Sequence, residues 1–169
     1  MKIGVISDTH LRGPDDRLLA IVRKHFHDAG MILHAGDLVE LAVLEAFGDR
    51  DVIAVCGNMD PPRVGEEIPY KRVIEVGRFR IGLIHGWGSP VGLEDRLLLE
   101  FERVDCIVYG HSHCPANHVR DGILFFNPGS ACDRRHASST SVGLLEVGPD
   151  AIEGRIIAVD ELGPCRQDG

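Results

Sequence analysis

The chain has 169 residues and a formal charge of −8. That length suits one domain with a core large enough to need no staples. The acidic balance argues against a general nucleic-acid-binding surface, which would be basic. No apolar run approaches a membrane span, and the first residues read as a strand rather than a cleavable leader. The five cysteines form no Cys-x-x-Cys pair, so neither a disulfide framework nor a zinc ribbon is indicated, and reduced thiols in a cytoplasmic setting are expected.

Ile3 to Ser7 reads as a buried strand. Asp15 and Asp16 open a helix, where acidic residues suit the positive end. Leu18, Leu19, Val22, Phe26 and Ala29 give it one apolar face before Gly30. Met31 to His34 is the next strand, a helix follows around Glu40 to Phe47, and Val52 to Val55 is a third strand. This βαβαβ order predicts parallel strands. Lys71 to Val76 and Phe79 to Ile84 bracket Gly77-Arg78 as an antiparallel hairpin. A helix is expected over Leu93 to Phe101, and Cys106 to Tyr109 returns to strand. Asp121-Gly122 between Val119-Arg120 and Ile123 to Phe126 is a two-residue hairpin turn. Val142 to Val147 and Ile152 to Val159 flank the turn at Gly148-Pro149-Asp150. The fold class is therefore α/β, with two sheets packed together and helices outside. One domain is expected over residues 1–160, with a loose tail over 161–169.

Asp8-Thr9-His10, Gly36-Asp37, Gly57-Asn58, His85-Gly86 and Gly110-His111-Ser112-His113 each follow a short apolar run. Carboxylate is a hard ligand and imidazole a borderline one, so together they suit Mn²⁺, Fe, Ni²⁺, Co²⁺ or Zn²⁺ better than Ca²⁺. Any one of these pieces alone is an ordinary turn or a satisfied histidine; the ordered set, each member at a strand end, points to a two-metal site. Two divalent cations would reverse the sign of the local field, so an acidic chain can still take an anionic substrate.

At these residues the chain resembles the calcineurin-like metallophosphoesterase superfamily. The segment from Gly110 to Pro115 and the turn Asn127-Pro128-Gly129-Ser130 look like its small bacterial and archaeal phosphodiesterase branch, related to a retromer scaffold subunit. The resemblance implies a four-layer αββα sandwich of mixed sheets. It also implies one metal held by Asp8, His10, Asp37 and His113, and another by Asp37, Asn58, His85 and His111, with Asp37 bridging. Two divalent ions, Mn²⁺ foremost, would lower the pKa of a shared water, and the hydroxide would attack phosphorus in line. Asp37, Asn58 and His85 are the residues expected to carry catalysis.

The sequence departs from the family pattern at Met59, where the larger enzymes carry a histidine. A thioether cannot donate a proton, so substrates with good leaving groups are expected. Asp60 either supports Asn58 or is a solvated loop carboxylate. Trp87 either stacks on a base or aryl group or caps the hydrophobic layer. Arg134 and Arg135 either bind a phosphate oxygen, together with Asn58, or serve surface solubility. Cys56 and Ser7 have no base arranged for nucleophilic attack. The expected function is hydrolysis of small or activated phosphodiesters, including nucleotide-derived ones; an interaction scaffold and a phosphomonoesterase are the rivals. The expected partner is the small phosphodiester itself, with neither membrane nor general nucleic-acid binding. A homo-oligomer is compatible with the sequence.

Overall fold

The computed structural model describes residues 1–133, 135 and 137–163. Strand β1 (Lys2–Ile6) leads to α1 (Asp16–His25), β2 (Met31–His34), a 3₁₀ turn (Leu41–Phe47) and β3 (Asp51–Ala54). Helix α2 (Pro62–Glu67) precedes the β4 (Lys71–Val76) and β5 (Phe79–Ile84) hairpin. Then come α3 (Leu93–Leu98), β6 (Cys106–Val108), β7 (Ala116–Arg120), β8 (Ile123–Asn127), β9 (Ser141–Val147) and β10 (Ile152–Ala158).

The strands form two five-stranded mixed sheets, ordered β10-β9-β1-β2-β3 and β4-β5-β6-β8-β7. As the alternation predicts, β1, β2 and β3 pair in parallel. Period-two alternation then divides the layers. Ile3 and Val5 of β1 and Leu33 of β2 join Ile81, Leu83, Val108 and Phe126 between the sheets. Ile6 and Ile32 face the other way, under Leu18, Ile21 and Phe26 of α1. Leu93 and Leu97 of α3 cover Ile107 and Phe125 of the second sheet. The result is the expected four-layer αββα sandwich.

Helix α1 begins where its acidic pair foretold, because the Asp15 carboxylate accepts the Leu18 N–H at 2.7 Å. Ile21 is also fully buried on its face, whereas Leu19 is only half-buried. The segment after Glu40 closes as a 3₁₀ turn rather than an α-helix, and α3 stops at Leu98, short of Phe101. Helix α2 is an element the sequence reading lacked; its Pro62 sits at the first helical position, where a missing N–H costs nothing. The tail also begins ordered: Asp160–Leu162 makes a 3₁₀ turn, and Glu161 accepts from Lys24 of α1 at 3.0 Å. Residues 164–169 lie outside the described residues. Cys56, Cys106 and Cys114 are free thiols, but Cys132 is disulfide-bonded, against the expectation of reduced thiols throughout. Among the described residues no helix is long and apolar enough to cross a membrane.

Candidate metal centre

The chain's metal-ligand candidates meet where the strands of both sheets end. The loops after β1 and β2 are laced by backbone hydrogen bonds from Asp8 to Gly36 (3.0 Å), His10 to Asp37 (3.0 Å) and Leu11 to Leu38 (3.1 Å). The loop after β6 reaches them because Gly110 N–H donates to His85 C=O at 3.1 Å. Gly110 must lack a side chain here, since a Cβ would stand 1.9 Å from Ser7 Oγ and 2.8 Å from Asp8 Oδ2. Asp8, His10, Asp37, His111 and His113 all sit at φ between 51° and 68°. Left-handed backbone is uncommon outside glycine and costs on the order of 1–3 kcal/mol at each position. Its concentration on five candidate ligands marks a site that the rest of the fold holds in place.

The inner cluster is nearly dry. Asp8 is fully buried, and Asp37, His85 and His113 almost so. Asp8 Oδ1 lies 3.1 Å from His113 Nε2 and 3.9 Å from both His10 Nε2 and His85 Nε2. Asp37 Oδ2 lies 3.3 Å from His85 Nε2 and 3.8 Å from His10 Nε2. The Nε2 atoms of His10 and His113 are 3.3 Å apart. Two groups have metal-ligand geometry: Asp8 with His10 and His113, and Asp8 with Asp37 and His85, the ligand atoms of each lying within 4.8 Å of one another. Asp8 is common to the two groups, whereas Asp37 belongs to one of them.

Second partners fix the imidazoles. His85 Nδ1 donates to Ala35 C=O at 2.7 Å, and His113 Nδ1 to Asp133 C=O. Each ring therefore turns its Nε2 inward, as metal-bound histidines do. Asp8 Oδ1 and His85 Nε2 are buried with no hydrogen-bond partner. A carboxylate oxygen and an imidazole nitrogen that face only the other groups of the cluster, 3.1 and 3.3 Å from their nearest ion-pair partners, fit a cation. Without an ion the same groups polarise one another. Burial opposes charge on all four, but the ion pairs outweigh it: His113 and His85 hold the Asp8 carboxyl below its ordinary range, and His85 does the same to Asp37. In return, His85 is raised by Asp37 and His113 by Asp8. His10, with desolvation dominant, is lowered.

Asn58 and His111 lie at the rim. His111 packs edge-on to His85, with ring centroids 5.4 Å apart. Its Nδ1 is 2.9 Å from Asn58 Oδ1 and its Nε2 is 2.7 Å from Gly88 O. A neutral imidazole has one N–H and cannot donate to both oxygens. Arg135 is held within its own loop by Asp133, at 3.4 Å, but its charge still reaches the His10 and His113 rings. Arg134 lies outside the described residues.

Three supporting residues change the sequence reading. Asp60 is not a solvated carboxylate, nor does it touch Asn58 through a hydrogen bond. It accepts from Asp37 N (3.1 Å), Val39 N (2.6 Å) and Gly57 N (2.7 Å), tying β3's exit to the Asp37 loop. Val39, a β-branched residue at φ 80°, depends on that anchor. Asp60→Ala is therefore expected to cost about 3 kcal/mol in urea unfolding of the metal-free protein and to weaken Mn²⁺ binding about tenfold by calorimetry. Ser130 Oγ donates to Asp8 C=O at 2.8 Å and accepts the Asp133 N–H at 2.9 Å, linking the Asn-Pro-Gly-Ser turn to the cluster. His34, fully buried beneath it, bonds Thr9 and Gly36; nothing in its strand pattern distinguished it from an apolar residue. Protein nucleophiles are poorly served. Ser7 Oγ is buried against Asp8 at 2.7 Å, and burial followed by the Asp60 charge pushes the Cys56 thiol up to about 11.

A profile of the calcineurin-like phosphoesterase superfamily domain matches residues 1–150. The chain belongs to that superfamily. It is 36% identical to the "Probable metallophosphoesterase" of Methanocaldococcus jannaschii, over 95% of this chain and 83% of that one. A phosphodiesterase of the same archaeon is 30% identical over 86% of this chain and 93% of the relative. Among solved structures, wild-type Vps29 of Entamoeba histolytica, complexed with Zn²⁺, superposes with a TM-score of 0.66 at 24% identity, covering 94% of this chain and 99% of that one. Members of this superfamily use divalent metals, and this chain brings candidate ligand groups together on a fold it shares with Vps29.

Proposed function

We propose that the chain is a cytoplasmic phosphodiesterase that uses two divalent ions, preferentially Mn²⁺, on small or activated phosphodiesters. The observation that carries this reading is the convergence of largely buried ligand atoms on one space: Asp8 Oδ1 and Asp37 Oδ2 with the Nε2 atoms of His10, His85 and His113. A bound metal pair supplies a hydroxide nucleophile and neutralises charge on the phosphoryl oxygens. Asp8, His10, Asp37, His85 and His113 would hold the ions, with Asn58 and His111 completing the ligand sets at the rim. Asp8 and Asp37 set the charge that retains them. The Asn58 amide, exposed at the opening, is placed to hydrogen-bond a phosphoryl oxygen, and the Arg135 guanidinium adds positive field.

Met59, at the position where larger members of the superfamily carry a histidine, offers a departing alkoxide no proton. Met59 is exposed, and its N–H is already given to Asp37 Oδ1 at 2.8 Å. General-acid help is typically worth about 10²- to 10⁴-fold, so aryl esters should outrun alkyl esters by that order. The test is hydrolysis of bis-p-nitrophenyl phosphate with Mn²⁺, compared with p-nitrophenyl phosphate. Faster turnover of the diester supports the reading; faster turnover of the monoester replaces it with a phosphomonoesterase, and no metal-dependent turnover of either leaves the interaction scaffold.

A further inference from the structure

A cavity of about 360 Å³ opens directly off the metal centre, sharing Asn58 and His85 with it. This is within the size range of small-molecule sites. Tyr70, Trp87 and Lys71 also line it. Trp87 is 42% exposed and Tyr70 67%, so neither ring is needed to fill the core. The backbone that carries Trp87 is nevertheless held. Trp87 stands between Gly86 and Gly88, at φ 103° and 77°. The Arg96 guanidinium donates to the carbonyls of Trp87 (3.0 Å), Val91 (3.1 Å) and Ser89, pinning the loop from inside. The Tyr70 hydroxyl lies over Gly65 of α2, where a Cβ would come within 3.2 Å of it. Lys71 is not a free cation for a second phosphate, because its Nζ is bonded to Glu100 Oε2 at 2.7 Å and Glu100 O at 3.0 Å.

The geometry points to this cavity as the subsite for a flat aromatic ring carried on the phosphate ester. The inference rests on the phosphodiesterase reading and narrows its substrates to aryl or nucleoside esters. Two solvent-facing aromatic rings beside a phosphoryl site, one of them on a loop whose backbone Arg96 holds, offer stacking area to a flat ring. The neutralised lysine disfavours ligands that would place another anion there. A purely alkyl ester would leave both rings wet.

Trp87 is the only tryptophan in the chain, so its fluorescence reports this subsite alone. The Mn²⁺-supplemented protein is titrated with adenosine 5′-monophosphate and phenyl phosphate, against ribose 5-phosphate and inorganic phosphate. Saturable quenching is expected from the two ring-bearing esters and not from the others; the better of the two tells nucleobase from simple aryl ring. With bis-p-nitrophenyl phosphate as reporter, Trp87→Ala should raise the inhibition constants of the ring-bearing esters roughly tenfold and leave that of inorganic phosphate within about twofold. Tyr70→Ala, at the more exposed wall, should give the same selective pattern. Equal quenching by ring-free esters, or equal weakening of all four ligands, overturns the subsite. Hydrolysis without ring-dependent quenching removes this inference alone. Ring-dependent quenching without hydrolysis upholds the subsite and removes the proposed activity.

Discussion

Asp37→Asn is expected to lower Mn²⁺-dependent hydrolysis of bis-p-nitrophenyl phosphate by roughly a thousandfold while leaving the chain folded. Loss of a single outer partner of a metal site typically costs about 10- to 100-fold, and the proposed function makes Asp37 a direct ligand. Asparagine preserves an oxygen to accept the Met59 N–H, now held by Asp37 Oδ1 at 2.8 Å, so the β3 exit survives. What disappears is a negative charge 3.3 Å from His85 Nε2. Melting temperatures separate the effects. Mn²⁺ should raise that of the wild type by linkage, and that of Asp37→Asn far less. In EDTA the cost depends on pH with a definite sign. The folded pKa of His85 is raised, with burial opposing and Asp37 prevailing. The pair's contribution is therefore complete below about pH 6.5, the ordinary histidine value, and fades as pH rises through the folded value. The metal-free variant should be more destabilised in mild acid than in mild base. Equal hydrolysis by wild type, Asp37→Asn and His85→Ala would remove the enzyme reading.

The sequence disclosed the ligand positions more fully than their orientations. Asp8, Asp37, Asn58 and His85 were legible because each ends an apolar run, and because Asp37 and Asn58 each follow a glycine. The structure shows why those glycines matter: a Cβ at Gly36 would stand 2.8 Å from the His85 ring, and one at Gly57 2.2 Å from Asp37 Oδ1. Both sheets and the hairpins at 77–78 and 121–122 followed from alternation and turn chemistry, with Asp121 and Gly122 both at positive φ. Other features depend on contacts far apart in the chain. His111 turns toward Gly88 and Asn58 because of a loop twenty-three residues away, which no local pattern encodes. Asp60 looked like any loop carboxylate until three N–H groups from two loops converged on it. The 3₁₀ closure of Leu41–Phe47 and the short helix α2 are tertiary accommodations of weak local propensity.

His34 should make the metal-free fold sensitive to acid well above the range where its carboxylates titrate. The ring is fully buried. Its Nδ1 accepts the Gly36 N–H at 3.2 Å, which requires the proton on Nε2, where it meets Thr9 Oγ1 at 3.2 Å. A second proton on Nδ1 would set two donors face to face beneath the metal cluster. Desolvation, the largest cause, outweighs the favourable charges of Asp8 and Asp37 and drives the pKa down to about 3. For a histidine depressed in the folded state, the unfolded chain binds more protons, so stability falls as pH drops below the ordinary value of 6.5. The gap between 6.5 and about 3, at about 1.4 kcal/mol per pH unit, bounds the total loss at about 5 kcal/mol. About 3 kcal/mol of it should already be gone by about pH 4.5, before Asp8 and Asp37 with their lowered values begin to protonate. His10 is also lowered and steepens the same limb. The raised His85 and His113 act with the opposite sign, and chiefly above about pH 6.5. His34→Gln keeps a neutral amide under the loop and removes the titration. In EDTA, the variant should be the less stable protein at neutral pH, and its deficit should narrow by about 3 kcal/mol between about pH 7 and pH 4.5 in urea unfolding. A deficit that stays constant across that range would place the acid-labile group elsewhere in the cluster.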